Sequence, residues 1–352
     1  MRIIGLMSGT SLDGVDAALL ETDGETVTAA GPALTLPYSP ALRARLRMLL
    51  DRAPTLAAND AELQAATLEM TRHHAEAVRA LAAPADMIGF HGQTILHAPH
   101  ARRTWQIGDA GWLAQETGLP VAWDFRTADV LAGGQGAPLV PLFHQALAAD
   151  LSLPLAVLNI GGVANLTWIG PADLLACDTG PGNALLDDYC LRHLEEPMDR
   201  DGRLAAAGTP HEPILAALLA HPFFALLPPK SLDRQAFASA LALVEPLAPA
   251  DAAATLAAFT ARAAAATPWP EPPARLLVTG GGRLNPAIMA ALRAAFACPV
   301  DPVEIVGWNG DALEAQCFAY LAARVARGLP LSLPGTTGVP HAMPGGRIAH
   351  PL

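Results

Sequence analysis

Lysine is nearly missing from this chain of 352 residues: Lys230 stands alone among the 22 basic side chains. Its position excludes two nucleotide-binding signatures. A P-loop needs Gly-Lys followed by Ser or Thr, and Lys230 follows Pro229. The Val-Ala-Ile-Lys strand of a protein kinase is missing too. Cysteine is scarce, at Cys177, Cys190, Cys298 and Cys317, and no two stand in Cys-x-x-Cys spacing. That leaves a zinc knuckle or a thioredoxin motif unsupported, and the apolar neighbours predict reduced, buried thiols. Only 16% of residues are charged, and 33 acidic residues outnumber the basic ones for a net charge of −11. Nucleic acid and anionic membrane both select basic patches, so neither is expected as a partner. No apolar run of about 18 residues escapes a charge or a proline, so no membrane span is expected. The run from Met1 to Met7 is too short for a signal-peptide core, and the reduced thiols make a cytoplasmic location the expectation. Neither a Gly-x-Ser-x-Gly elbow nor His-Glu-x-x-His occurs.

What is present is core. The hydrophobic fraction is 52%, which rules out global disorder, and the length suits about two domains. Gly numbers 30 and Pro 32, with no collagen period, so tight turns are many. Ile3–Met7 and Val15–Leu20 read as two strands about a glycine turn, and residues 155–169 repeat that reading. Residues 41–81 carry helical spacing at Leu42, Leu46, Leu49 and Leu50. Met87–Phe90 reads as a buried strand ending in a polar loop from His91 to His97. Val121–Trp123 reads as a strand ending at Asp124, and Leu174–Cys177 as one ending at Asp178. Asn285 and Pro286 are a good N-cap and first helical residue. The Gly-rich stretch 131–138 is the expected hinge, and the tail 328–352 is expected to be extended. Alternation of strands with helices predicts an α/β protein, and two similar hairpins suit a duplicated nucleotide-binding fold.

Three glycine turns fall at predicted strand ends: Ser8-Gly9-Thr10-Ser11, Asn159-Ile160-Gly161-Gly162 and Gly280-Gly281-Gly282. Glycine lets backbone N–H groups approach a phosphate without a side chain between them. The plainer reading of each turn is a turn and nothing more. Asp178 opens a loop and suits a catalytic carboxylate, or a loop cap. Asp13 and Asp16 could orient Mg2+ through water. His91 and Gln93 suit hydrogen bonding to a polyhydroxyl ligand, against a structural histidine. Arg126 could grip a carboxylate or pair with Asp124 or Asp129. No metal-ligand spacing is present, because His91 and His97 are wrongly spaced for a helical site. These readings converge on phosphoryl transfer with the acceptor unnamed.

At these residues the sequence closely resembles the anhydro-N-acetylmuramic acid kinases, through almost the whole chain. The motifs are Ile4 to Asp16, His91-Gly92-Gln93-Thr94, Gln106-Ile107-Gly108-Asp109, Asp124-Phe125-Arg126 with Asp129, and Gly133 to Pro138. Asn159 to Thr167, Asp178 to Asn183, Gly280 to Asn285 and Asp311 to Ala315 complete them. Around Lys230 the chain departs, reading Lys230-Ser231-Leu232-Asp233-Arg234 where the family tends to have Lys-Ser-Thr-Gly-Arg, so that loop is left out of the site.

The resemblance implies a two-lobed actin/hexokinase-like sugar-kinase fold, with duplicated mixed sheets flanked by helices. The lobes implied are 1–130, joined by the tail 335–352, and 131–334. It implies ATP with Mg2+, a homodimer, and opening of 1,6-anhydro-N-acetylmuramic acid by water with phosphorylation of the freed 6-oxygen, in peptidoglycan recycling. By resemblance Asp178 is the general base. Gly9, Thr10, Ser11, Leu12, Asp13, Gly14, Val15 and Asp16 match one ATP turn. Asn159, Gly161 and Gly162 match a second, and Gly280, Gly281 and Gly282 the adenosine side. His91, Gln93, Asp124, Arg126 and Glu314 match the sugar pocket. The alternatives are a kinase of another amino sugar without ring hydrolysis, and a nucleotide-binding switch without catalysis.

Overall fold

Ile3–Met7, with Gly5 inside, and Val15–Leu20, with Asp16 inside, are mostly aliphatic, and each run becomes a strand, β1 (Arg2–Ser8) and β2 (Gly14–Thr22), paired antiparallel. The computed structural model describes residues 1–9, 11–232 and 237–352. β3 (Val27–Pro37) continues the meander. Its exposed pattern, with Gly31 and Pro32 inside, hid it in the sequence. An edge strand tolerates proline because one side of its ladder has no partner. β4 (Met87–Ala98) lies parallel to β1, and β6 (Val121–Trp123) parallel to β4. β5 (Arg103–Ile107) folds back antiparallel on the far half of β4, and the C-terminal strand β12 (Arg347–Ala349) pairs antiparallel with β6.

In the second sheet, β7 (Leu155–Ile160), β8 (Val163–Ile169) and β9 (Leu174–Pro181) form an antiparallel meander. β10 (Arg275–Thr279) lies parallel to β7, and β11 (Val300–Pro302) parallel to β10. The orders are β12-β6-β4-β1-β2-β3 and β11-β10-β7-β8-β9. One plan is therefore used twice: a three-strand meander, a parallel strand beside its first strand, and another beside that. Parallel neighbours need long crossovers, which helices supply. Pro40–Arg52 and Ala61–Leu81 connect β3 to β4, and Pro286–Ala295 connects β10 to β11. The expected α/β class with duplicated mixed sheets is what forms.

The chain divides into two compact units, residues 1–149 with 312–352, and residues 150–311. The first unit thus takes in 131–149 and 312–334, which the glycine-rich hinge reading assigned to the second. Two local causes are visible. The helix Leu313–Ala326 packs directly on the first sheet, at Gly5 and Gly89. A side chain at either glycine would overlap the carbonyl of Ala315 or Phe318, so the two glycines permit this backbone approach. The stretch 131–138 is not a free hinge. Buried Asp129 accepts from the Gly136 N–H at 2.6 Å, from Thr337 Oγ1 at 2.6 Å and from Ser332 Oγ. The tail is likewise less extended than expected, with a helical turn at Pro334–Thr337 before β12.

Candidate functional site

The first glycine turn closes where the Leu12 N–H donates to the Gly9 carbonyl at 3.1 Å. Leu12 sits at φ +60 with its side chain fully buried, and Val15 is buried too. Both therefore anchor the turn and can offer a ligand only backbone. Gly14 lies against the Leu36 carbonyl. Ser11 and Asp13 are exposed. Arg43 donates to the Ser11 carbonyl and pairs with Asp13, both at 3.3 Å. Thr35 Oγ1 donates to Asp16 at 2.6 Å. Thr10 lies outside the described residues.

His91-Gly92-Gln93-Thr94 is not the expected loop. β4 runs on through it to Ala98, because β5 supplies an antiparallel partner. Gly92, at φ +72, marks the irregularity in its pairing with β1. The motif is tied to the first turn: Ser8 Oγ donates to the Gly92 carbonyl at 3.1 Å, and Gln93 Nε2 to the Gly9 carbonyl at 3.1 Å. Gln93 is fully buried, so it braces the turn from behind.

A cavity of about 590 Å³ opens in the same unit, walled among others by His91, Trp105, Gln106, Asp109, Trp123 and Asp124. Asp124 follows β6 at φ +60 and is held by Arg347 Nε at 3.2 Å, whose guanidinium lies 5.5 Å from the Trp123 ring centre. Asp109 caps the helix Ala110–Thr117 through the Trp112 N–H at 2.8 Å. His91 Nδ1 donates to the Gly92 carbonyl at 2.8 Å, while Nε2 accepts from Arg126 Nε at 3.1 Å. That pair of bonds defines a neutral tautomer. Burial, then the Arg126 charge, pushes the imidazole well below its ordinary pKa. Arg126 also donates to the Gly136 carbonyl at 2.7 Å. Burial lowers its pKa, and Glu314, at the start of the helix Leu313–Ala326, opposes that electrostatically. Of the five expected sugar residues, His91 and Asp124 form cavity wall. Arg126 stands behind His91, Glu314 faces Arg126, and Gln93 belongs to the turn. Trp105, Gln106, Asp109 and Arg347 were not assigned from sequence. The Gln106–Asp109 motif was visible, but its role depended on the unread strand β5.

In the second unit, β9 continues past the expected strand end, so Asp178 lies within it. Its N–H donates to the Lys230 carbonyl at 2.9 Å, and its Oδ2 accepts the Leu232 N–H at 2.7 Å. Burial pushes the Asp178 carboxyl up to about 7; the Leu232 N–H and the Lys230 charge pull back against it. A carboxyl near neutrality can take a proton at working pH. Lys230 is buried, donates to the Phe223 carbonyl at 3.1 Å and lies 4.4 Å over the Phe223 ring. Lys230 and Leu232, in the divergent segment left aside in the sequence, are thus the backbone partners of Asp178. Asp233, Arg234, Gln235 and Ala236 lie outside the described residues.

The other two glycine turns meet. β7 and β10 are parallel neighbours with Asn159 opposite Thr279, so Asn159–Gly162 and Gly280–Gly282 leave their carboxyl ends side by side. Gly280 has φ +75, and a side chain there would overlap Asn159 Oδ1 and the Ile160 carbonyl. The Asn183 N–H donates to the Gly161 carbonyl at 2.7 Å, binding in the segment after β9. Arg283 fixes the third turn through the Gly280 carbonyl at 3.1 Å, with Glu304 and Asp311 each at 2.8 Å. Asn285 caps the helix Pro286–Ala295 as expected. Carboxyl ends of parallel strands, lined by glycine backbone, are where α/β sheets take phosphates.

A family model described as anhydro-N-acetylmuramic acid kinase matches residues 1–350. A relative named anhydro-N-acetylmuramic acid kinase from Acidiphilium cryptum is 62% identical over 100% of this chain and 99% of its own length. Another of that name, from Gluconobacter oxydans, is 56% identical over 96% of each. Among solved structures, a ROK family glucokinase from Streptomyces griseus in complex with glucose and AMPPNP aligns at TM-score 0.42 and 14% identity, over 93% of this chain and 99% of that one.

Proposed function

The chain belongs to the anhydro-N-acetylmuramic acid kinase family, and from that premise we propose that it opens 1,6-anhydro-N-acetylmuramic acid with water and phosphorylates it with ATP. The observation that carries the hydrolytic half is the Asp178 carboxyl, raised to about 7. As general base it takes a proton from water while the water oxygen bonds to the anomeric carbon. The bond from that carbon to O6 breaks, and O6 attacks the γ-phosphorus as the bond to the ADP oxygen breaks. The leaving oxygen is captured by phosphorus, so a second protein acid is not required.

The neutral His91, the carboxylates Asp109 and Asp124, and the Trp105 and Trp123 rings support binding of a polyhydroxyl ring in the 590 Å³ cavity. The glycine turns at Gly9, Asn159–Gly162 and Gly280–Gly282 support the nucleotide by backbone N–H groups, which substitutes for a P-loop lysine. Among the described residues no three His, Cys, Asp or Glu gather to hold a metal. A nucleotide-borne Mg2+ needs no such cage, since it takes one or two carboxylates besides phosphate and water. Asp13 and Asp16 suit that part, and the ion would neutralise charge on the transferring phosphoryl. A homodimer and a place in peptidoglycan recycling belong to the same reading. Among the described residues no helix is long and apolar enough to cross a membrane.

Solvent-oxygen labelling tests the reaction. Heavy oxygen from water is expected at the anomeric hydroxyl and not in the phosphate. Label in the phosphate, or in neither place, would rule the scheme out. ATP consumption that depends on a free amino sugar and not on the anhydro sugar would favour the plain sugar kinase instead.

A further inference from the structure

Beside the 590 Å³ cavity lies a smaller one of about 170 Å³, and Thr104, Trp105 and Thr127 line both. Its remaining walls include Arg102 and Arg103 and no acidic residue. We propose that this side cavity is a carboxylate subsite, in which Arg102 and Arg103 hold the acid of the lactyl arm and select muramic acid over a sugar lacking that arm. The inference rests on the anhydro-sugar kinase reading of the neighbouring cavity.

Charge distribution carries the argument. The chain has a net charge of −11, and the other arginines around the first unit's site are answered by acids. Arg43 pairs with Asp13, Arg347 with Asp124, and Glu314 faces Arg126. Arg102 and Arg103 have no side-chain hydrogen bond or ion pair among the described residues. The larger cavity contains Asp109 and Asp124, which suit hydroxyls and repel a carboxylate. An acidic sugar entering there meets like charge in the main chamber and unopposed positive charge next door. The backbone explains the placement. Arg102 ends the turn Pro99–Ala101 at φ +51, and Arg103 opens β5 opposite Ala98, so the two consecutive arginines stand at the turn end of the β4–β5 hairpin. The volume of about 170 Å³ has room for a three-carbon acid. Guanidinium forks match a carboxylate with two parallel hydrogen bonds, although water on these exposed arginines moderates the gain.

The test compares wild type with the Arg102→Gln/Arg103→Gln double variant on anhydro-N-acetylmuramic acid and on its lactyl methyl ester, following ATP consumption. In the double variant, KM for the acid is expected to rise about 10-fold or more, the scale of losing charge-assisted bonds at a wet site. The value of kcat, KM for ATP and KM for the ester should stay near wild type, and an Arg102→Lys/Arg103→Lys variant should recover part of the loss. Unchanged KM for the acid, or equal weakening of acid and ester, overturns the subsite while the kinase reading stands. No turnover of either sugar by wild type removes the kinase reading and the subsite with it, so the two failures look different.

Discussion

Asp178 shows how far a single residue's chemistry depends on surroundings. A free aspartate loses its proton near pH ~4, yet burial raises this carboxyl to about 7. If it is the base, kcat/KM rises with pH through about 7 and levels above, since only the ionised form accepts a proton. An acid limb lying at pH 4 would contradict the raised pKa of Asp178. Asp178→Asn keeps the shape without the basicity, and its turnover is expected to fall at least ~10²-fold with ATP binding retained. Near-normal turnover in a steady-state assay would remove Asp178 from the mechanism. Lys230 illustrates what residue type alone conceals. As the only lysine it was conspicuous, but its bond to the Asp178 N–H crosses a separation that no local pattern encodes.

At the scale of elements, the segments that misled were strands without a clean sequence pattern, although each pairs with the strand just before it. β3 has an exposed face with Gly and Pro inside, and β5 is only five residues long, so neither carries a clean alternating pattern. Missing β5 turned the second half of β4 into a loop and left Gln106 and Asp109 without a place. Asp129 ties elements together in the same hidden way, joining the Gly-rich stretch to the tail through Gly136, Ser332 and Thr337. Asp129→Ala strands those buried donors, so a loss of about 3–5 kcal/mol in denaturant unfolding is expected. Because the Gly136 carbonyl also holds Arg126, KM for the sugar should rise in the same variant. A variant with wild-type stability would show that the tie contributes nothing.

For the whole molecule, buried imidazoles set the response to acid. His74 and His144 are pushed down to about 4 and about 3 by burial, His97 to about 4 by burial and Arg126, and His91 is held well below its ordinary value by burial and Arg126. Unfolded histidines take up protons from about pH 6.5 downward, which these folded ones refuse. Stability therefore falls as pH drops from about 6.5 toward 4. Asp178 acts in the opposite sense, since the folded carboxyl holds its proton up to about pH 7 while the unfolded one loses it near 4. Four groups oppose one, so the urea midpoint at pH 5 should lie below that at pH 7.5. A midpoint that is level or higher at pH 5 would contradict this balance.

Sequence alone determined the parts of this protein that rest on residue type at short range. The glycine turns, the Asn285 cap, the paired hairpins and the family all follow from neighbours a few positions apart, because backbone conformation and capping are local. Tertiary structure alone decided the pKa of Asp178, the neutral state of His91, the walls of the two cavities and the extent of the first unit. Those properties arise from burial and from charges brought together across long stretches of chain, and desolvation has no local signature.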